Sequence, residues 1–286
     1  MWRFDYSALE LELSKRVLGA VHYGMDIPVF PSLRSAWHFE DKIAQFYLLK
    51  SLGCPIPETK VLWSETEARN FCDTASYPFV FKLSSGIQSS NVRLVKNKNE
   101  ALKLVKLMFR SGVTTLQRSP YWLNRRLGRS LLPAKLLLGK RLPRGLQTGY
   151  FLAQEFLPGN EFDTRVTIIG NRAFAFRRFN RPGDFRASGS GNIDWNPDAV
   201  DDSSVQLAFE VSDALQSESL AVDILRKEGV PVIAEISYTY TSWGVRDCPG
   251  HWRRMASGEL DWVAGNLRPE DALFQDFVVK FASEEG

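Results

Sequence analysis

Apolar residues recur at helical spacing in some stretches of the chain and alternate with polar ones in others. Over residues 40–52, Ile43, Phe46, Tyr47, Leu49 and Leu52 lie near a helical period, and Gly53 followed by Pro55 closes the expected helix. A short strand is expected over 59–63. Ser64 and Glu67 then have the spacing of a capping box, which predicts a helix running to about residue 73. After Pro78 the run FVFKLSS, the polar loop SSGIQSSN and a strand over 92–95 predict a β-loop-β unit, followed by a helix over 99–110 with Ala101, Leu104, Val105 and Met108 on one face. The second half is richer in strands, expected over 150–156, 164–169, 172–179, 220–225 and 231–236, with a helix near 203–216. Gly170-Asn171 and Lys227-Glu228-Gly229 supply turn signals between paired strands. Hairpins interleaved with helices imply an α+β fold rather than a doubly wound parallel sheet.

Length and composition add bounds. A chain of 286 residues with 44% apolar and 24% charged residues can bury a large core as two domains or one lobed enzyme. The start carries acidic residues where a signal peptide would be basic, and the apolar stretch over 131–142 is broken by Pro133, Lys135 and Lys140, so a cytoplasmic protein without a membrane span is expected. Cys54, Cys72 and Cys248 have neither disulfide nor zinc spacing, and with three histidines carboxylates are the natural metal ligands. Residues 110–150 hold nine Lys or Arg and no Asp or Glu, a segment suited to an anionic neighbour. No nucleic-acid-binding motif accompanies it, and no nucleic-acid partner is expected.

Three groups of residues carry candidate chemistry. Lys82 ends an apolar strand just before the Ser/Gly loop, which suits either a solvated strand-end lysine or a phosphate contact beneath loop N–H groups. Asp223 and Glu235 sit in the apolar runs SLAVDIL and PVIAEIS. Such carboxylates need a cation, either magnesium or arginines such as Arg177 and Arg178. Arg177, Arg178, Arg181 and Arg186, followed by Ser188, Gly189, Ser190 and Gly191, form either a solvated basic loop or one that closes over a reacting phosphate.

In order along residues 41–242, these pieces resemble the ATP-grasp superfamily. Asp41-Lys42 heading a helix and the following GCPIPET are similar to the opening of the family's smaller subdomain. FVFKLSSGIQSSNVRLV resembles its strand, lysine, phosphate loop and strand. AQEFLPGNEFDTRVTIIGNRAFAFRR resembles its adenine hinge, GDFRASGSG resembles a segment of the ribosomal-protein glutamate ligases, and VDIL with AEIS resembles the D…E-x-N metal motif.

The resemblance implies an ATP-grasp fold of two α+β subdomains sandwiching ATP, with a shortened segment 1–40, a small subdomain 41–150 containing the basic insertion 110–150, and a large subdomain 151–286. It implies ATP and Mg2+ as cofactors. Lys82, Ser84, Ser85, Gly86, Ser89 and Ser90 would contact phosphates, with Lys42 either a second phosphate contact or a surface lysine. Gln154, Glu155, Phe156 and Leu157 would form the adenine hinge, and Glu161 or Asp163 would meet the ribose. Arg186 would be catalytic, steadying the acyl-phosphate and tetrahedral states, and Asp223, Glu235 and Ser237 would be the metal ligands.

The implied activity is ligation of a carboxylate to an amine, with phosphotransfer and non-catalytic ATP binding as alternatives. Ser237 and Ser188 stand where these relatives have asparagine, and the phosphate loop has Gly86 alone. Since the segment before Asp41 is short for the family's N-terminal domain, the basic segment 110–150 is expected either to face the acceptor, a small molecule or an acidic polymer or peptide, or to form a solvated amphipathic helix pair covering the small subdomain. A homodimer is a further possibility.

Overall fold

The computed structural model describes residues 8–85, 91–114, 116 and 146–282. Helix α1 (Ala8–Gly19) is followed by the single turn α2 (Leu33–Ala36) and by α3 (Lys42–Ser51). Helix α3 starts where expected because the Asp41 carboxylate accepts from the Ile43 and Ala44 amides at 3.1 and 3.0 Å, capping two of its orphan donors.

Two compact units follow. Residues 58–156, together with 8–12, form one, built on strands β1 (Thr59–Leu62), β2 (Phe79–Lys82), β3 (Val92–Val95) and β4 (Phe151–Glu155) in the antiparallel order β1-β4-β2-β3. Helices α4 (Glu65–Thr74) and α5 (Lys98–Lys106) accompany this sheet. The capping box forms as expected, with the Ser64 Oγ accepting from the Glu67 amide at 3.1 Å and Glu67 Oε2 accepting from the Ser64 amide at 3.2 Å. Phe71 of α4 meets Phe79 at 5.4 Å between ring centres, and Phe81 meets Phe151 at 4.8 Å. The face with Phe79, Phe81, Ala153 and Glu155 is therefore the helical one, and Val80, Lys82, Leu152 and Gln154 occupy the other.

The second unit comprises residues 13–57 and the chain from 157 onward. Its strands are β5 (Phe162–Ile169), β6 (Arg172–Phe179), β7 (Ile193–Asp194), β8 (Ser219–Lys227), β9 (Val230–Ser237), β10 (Gly250–Arg254) and β11 (Leu260–Ala264). They run in the order β11-β10-β6-β5-β8-β9, with β7 paired to β6. Helices α6 (Asp202–Leu215), α7 (Trp243–Arg246) and α8 (Pro269–Ala282) complete it. One sheet face presents Val166, Ile168, Ala173, Ala175, Val222 and Ile224 to Val205, Ala208, Phe209 and Val211 of α6. Each large apolar side chain buried there contributes about 1.5–3 kcal/mol. The opposite face carries a smaller core of Ile169, Phe174, Phe176, Val245, Cys248 and Ala272. Burial pushes the Cys248 thiol up to about 12, as suits an inert cysteine.

Both expected hairpins form. Gly170 takes φ +58 in the two-residue turn between Ile169 and Arg172, where a Cβ would lie 2.3 Å from Asp276 Oδ2. Glu228 and Gly229 both take positive φ in the β8–β9 turn. Helix α3 belongs to the second unit, where Leu49 joins the α6 core. Strands β10 and β11 and helices α1 and α8 lie outside the elements expected from the pattern.

Helix α6 provides a stability test. Asp201 caps it, accepting from the Ser204 amide at 2.8 Å, and also pairs with Arg226. Burial pushes the Asp201 carboxyl up, but Arg226, Ser203 and Ser204 hold it down at about 2. Its contribution is therefore present above the unfolded value of about 3.9 and lost as pH falls towards 2. Asp201→Ala is expected to cost about 1–2 kcal/mol at pH 7 and much less near pH 2.5. Denaturant titrations at both pH values check this, and equal costs would refute it.

Candidate functional site

The alternation that buries Val222 and Ile224 beneath α6 turns Asp223 to the opposite face, and its register partners there are Arg165 on β5 and Glu235 on β9. Immediately beyond Asp223 the β8–β9 register shifts at a bulge, so that Ile236 pairs with Val222 while Ile233 pairs with Ile224. The extra residue lets isoleucines three apart both reach the core while Glu235 stays beside Asp223.

Asp223 is held by two arginines. Arg165 donates through Nε and Nη2 to Oδ1 and Oδ2 at 2.7 and 2.9 Å, and Arg178 Nη2 lies 2.7 Å from Oδ2. Arg178 also forks onto Asp163, with Nε and Nη2 at 2.7 and 2.6 Å from its two oxygens. Burial pushes the Asp223 carboxyl up, but Arg165 and Arg178 outweigh it and the net shift is downward. Asp163 is shifted upward, by burial and by the Asp223 charge, against the pull of Arg178. Lys42 at the start of α3 is 7% exposed and lies 3.1 Å from Glu235 Oε1. Burial pulls its ammonium down, while Glu235 and Glu40 raise it more strongly, so Lys42 remains a cation.

Each arginine of the arginine-rich run has a partner within the protein. Arg177 pairs with Asp194 on β7, Arg178 belongs to the carboxylate cluster, and Arg181 donates to the Ser188 carbonyl at 2.5 Å. Arg186 donates through Nε to both Asp184 oxygens, at 3.0 and 2.9 Å. Side-chain hydrogen bonds from Arg186 lower the Asp184 carboxyl, and that pairing raises Arg186. Ser237 donates its hydroxyl to the Thr239 carbonyl at 2.5 Å, which leaves the oxygen's acceptor capacity. Asp163 has both oxygens engaged by Arg178, whereas Glu161 is exposed.

In the unit formed by residues 58–156, Lys82 ends β2 on the face shared with Gln154. Ser84 donates its amide to Tyr150 Oη at 2.7 Å, and Ser85 donates to Gln147 Oε1 at 3.2 Å. Asn91 Nδ2 donates to the Ser85 carbonyl at 2.7 Å. These anchors fix the foot of the expected phosphate loop; Gly86, Ser89 and Ser90 lie outside the described residues, as does most of the basic segment. Arg110 pairs with Glu65 at 3.3 Å. Gln154, Glu155 and Phe156 border a cleft of about 350 Å³ with Lys60, Phe71 and Phe79, on the helical side of the small sheet rather than the Lys82 face. Leu157, next along the chain, is buried, and its carbonyl accepts from Asn160 Nδ2 at 3.2 Å.

Several organising residues escaped the sequence reading: Arg165, Tyr150, Gln147 and Asn91. Only Arg165 left a signal, in the D-T-R step of β5. Among the described residues, no three His, Cys, Asp or Glu side chains converge as a metal-binding group, and no helix is long and apolar enough to cross a membrane.

The family model of the RimK-like ATP-grasp domain matches residues 140–245. The crystal structure of a RimK domain protein ATP-grasp from Sphaerobacter thermophilus is similar, with a TM-score of 0.51 and 18% identity over 82% of this chain and 73% of that one. N5-carboxyaminoimidazole synthase from Aspergillus clavatus, in complex with ADP and 5-aminoimidazole ribonucleotide, gives a TM-score of 0.53 at 12% identity, over 82% of this chain and 53% of that one. The ATP complex of carboxyaminoimidazole ribonucleotide synthase from the same organism gives 0.51 at 12% identity, over 79% and 51%. The chain thus spans about half the length of the two Aspergillus proteins. No curated protein matches the sequence. These likenesses establish the α+β ATP-grasp fold.

Proposed function

We propose that this chain, with its ATP-grasp fold and RimK-like central segment, is an ATP-dependent ligase that joins a carboxylate to an amine through an acyl phosphate. The observation that carries the proposal is the cross-strand pair Asp223 and Glu235, set on one sheet face among Lys42, Arg165 and Arg178.

The donor set fits magnesium. Asp223, Glu235 and Ser237 offer oxygen atoms only, the chemistry that Mg2+ selects, and carboxylates keep lone pairs beyond those given to arginine. Asp163, Asp223 and Glu235 are balanced by Lys42, Arg165 and Arg178, three charges against three, so this face supplies no net charge of its own for a dication. Nucleotide phosphates would supply the remaining negative charge and ligands. Bound there, magnesium would neutralise the transferring phosphoryl group.

The protein's own groups do the rest of the work in this reading. Arg165 and Arg178 hold Asp223 ionised and oriented, and Lys42 holds Glu235. Lys82 with Ser84 and Ser85, and Gly86, Ser89 and Ser90 beyond them, bind phosphate oxygens. Gln154 to Leu157 receive adenine, and Glu161 is favoured over Asp163 for the ribose because Asp163 is committed to Arg178. Arg186, steadied by Asp184, stabilises charge on the acyl phosphate and on the tetrahedral state as the amine attacks. The acceptor is a small acid, a peptide tail or an acidic sugar, the last making surface-polysaccharide modification a fitting setting, and the reaction belongs in the cytoplasm with its ATP.

The test is to incubate the protein with ATP, Mg2+ and pooled acids and amines, following ADP, phosphate and product mass together. The expected result is one ADP and one free phosphate for each amide formed. A phosphorylated acceptor without free phosphate would replace ligation by phosphotransfer, and nucleotide binding without any product would remove the catalytic reading.

A further inference from the structure

The face that carries Asp223 continues into an aromatic ladder. Phe176 lies directly across from Arg165 in the β5–β6 register. Trp195 follows β7, at the exit of the loop bearing Arg186, and its ring lies 4.6 Å from Phe176. Beyond Trp195, 6.2 Å on and at 77°, stands Trp243. The ladder therefore steps outward from the carboxylate–arginine cluster along one face of one sheet.

Its first rungs belong to the core. Phe176 is buried and Trp195 half-buried against it. Trp243 differs, being 42% exposed although Gly244 and Val245 beside it are buried. Gly244 packs against Phe176, whose Cζ would be at van der Waals contact, 3.4 Å, from an added Cβ, so the α7 backbone lies against the ladder. An indole on an element fixed in this way is a rigid apolar surface at low entropic cost. The hydroxyl side chains of Thr241 and Ser242 flank it in the chain, and the exposed Asn196 follows Trp195. The surface is thus an exposed aromatic step, on the face where the proposed chemistry needs a carboxylate.

We propose that Trp243 is a specificity-determining residue and that the carboxylate substrate carries a ring, which stacks on this indole while its carboxylate is directed towards the Asp223–Glu235 end of the face, where bound magnesium would supply the positive charge. This inference rests on the ligase reading for its substrate carboxylate and goes further in naming the substrate class. A sugar ring with an apolar C–H face and an aromatic ring share the required chemistry, and a short linear acid lacks it.

The experiment measures binding of three acids, a hexuronic acid, an aromatic carboxylic acid and glutamate, to the protein saturated with Mg2+ and a non-hydrolysable ATP analogue. Calorimetry compares wild type with Trp243→Ala and Trp243→Phe, and amide formation is assayed in parallel. At least one ring acid is expected to bind more tightly than glutamate. Trp243→Ala should weaken the ring acid relative to glutamate by about tenfold, the scale of one aromatic contact, and Trp243→Phe should restore most of it. Affinity for the ATP analogue serves as the folding control. Equal weakening of all three acids, or none, would overturn the proposal even if amide forms. Ring-selective binding without any amide would instead sustain it and remove the ligase reading. If no acid binds, both fail. The ring acid that responds identifies the source of the ring.

Discussion

Replacing Glu235 by Gln is expected to reduce turnover on the order of a thousandfold, the scale of losing a charge that stabilises a phosphoryl-transfer transition state. Glutamine keeps the size of the side chain and one oxygen but loses the anion. Glu235 is about one-third exposed, at 36%, so the change leaves no deeply buried charge of its own. It does release Lys42. Burial pulls that ammonium down, and Glu235 is the largest influence opposing it, so Lys42 in the variant should titrate lower than in the wild type, with Glu40 and Asp41 still favouring the cation. Three measurements separate the effects: amide formation, the melting temperature, and Mn2+ affinity of the protein–nucleotide complex by electron paramagnetic resonance. The expected outcome is lost turnover and Mn2+ affinity weakened by more than about tenfold, with a lowered melting temperature because the buried Lys42 loses its partner. Retained turnover would move the metal away from β9. Asp223→Asn is a poorer probe, because Arg165 and Arg178 would lose their shared partner and the fold would change with the site.

What could be read from the chain follows the range of each interaction. The β2-loop-β3 unit, the capped helices α3 and α4, and the turn at Gly170 rest on neighbours a few residues apart, and they form as the pattern requires. Asp223 and Glu235 were legible as a pair because a short turn joins two alternating apolar runs. Arg165 and Asp223, however, are 58 residues apart and meet only because β5 lies beside β8. Nor does spacing reveal that Arg178 turns towards Asp163 while Arg177 turns to the other face and Asp194. Strand alternation sends adjacent arginines in opposite directions, so a cluster in sequence is not a cluster in space. Strands β10 and β11 were missed for a related reason. HWRR and LDWVA carry charges and tryptophans on a half-exposed edge, and they become a sheet through their own antiparallel register, with Trp252 and Trp262 4.7 Å apart, and through the pairing of β10 with β6.

Arg178 should have the largest effect on stability. It is 6% exposed, joins two buried carboxylates, and is held firmly protonated: burial disfavours its charge, but Asp223 and Asp163 outweigh that cost. Arg178→Met is expected to destabilise the protein by about 3–5 kcal/mol, the cost of breaking a buried pair and stranding its partner. The stranded partner is chiefly Asp163, since Asp223 keeps Arg165. Adding Asp163→Asn should therefore recover part of the loss, and the double variant should be more stable than Arg178→Met alone. The pH dependence follows from the two carboxyls with opposite signs. Asp223, shifted down, stabilises the fold above the unfolded value of about 3.9 and loses that contribution as pH falls through its folded value. Asp163, shifted up, costs stability as pH rises from the unfolded value through its folded one. Without Arg178 the Asp163 cost grows, so the variant's deficit should shrink on acidification from pH 7 to pH 4. Urea titrations of both variants at those two pH values check this. A loss below about 1 kcal/mol, or no recovery in the double variant, would mean that the cluster is held by packing rather than by charge.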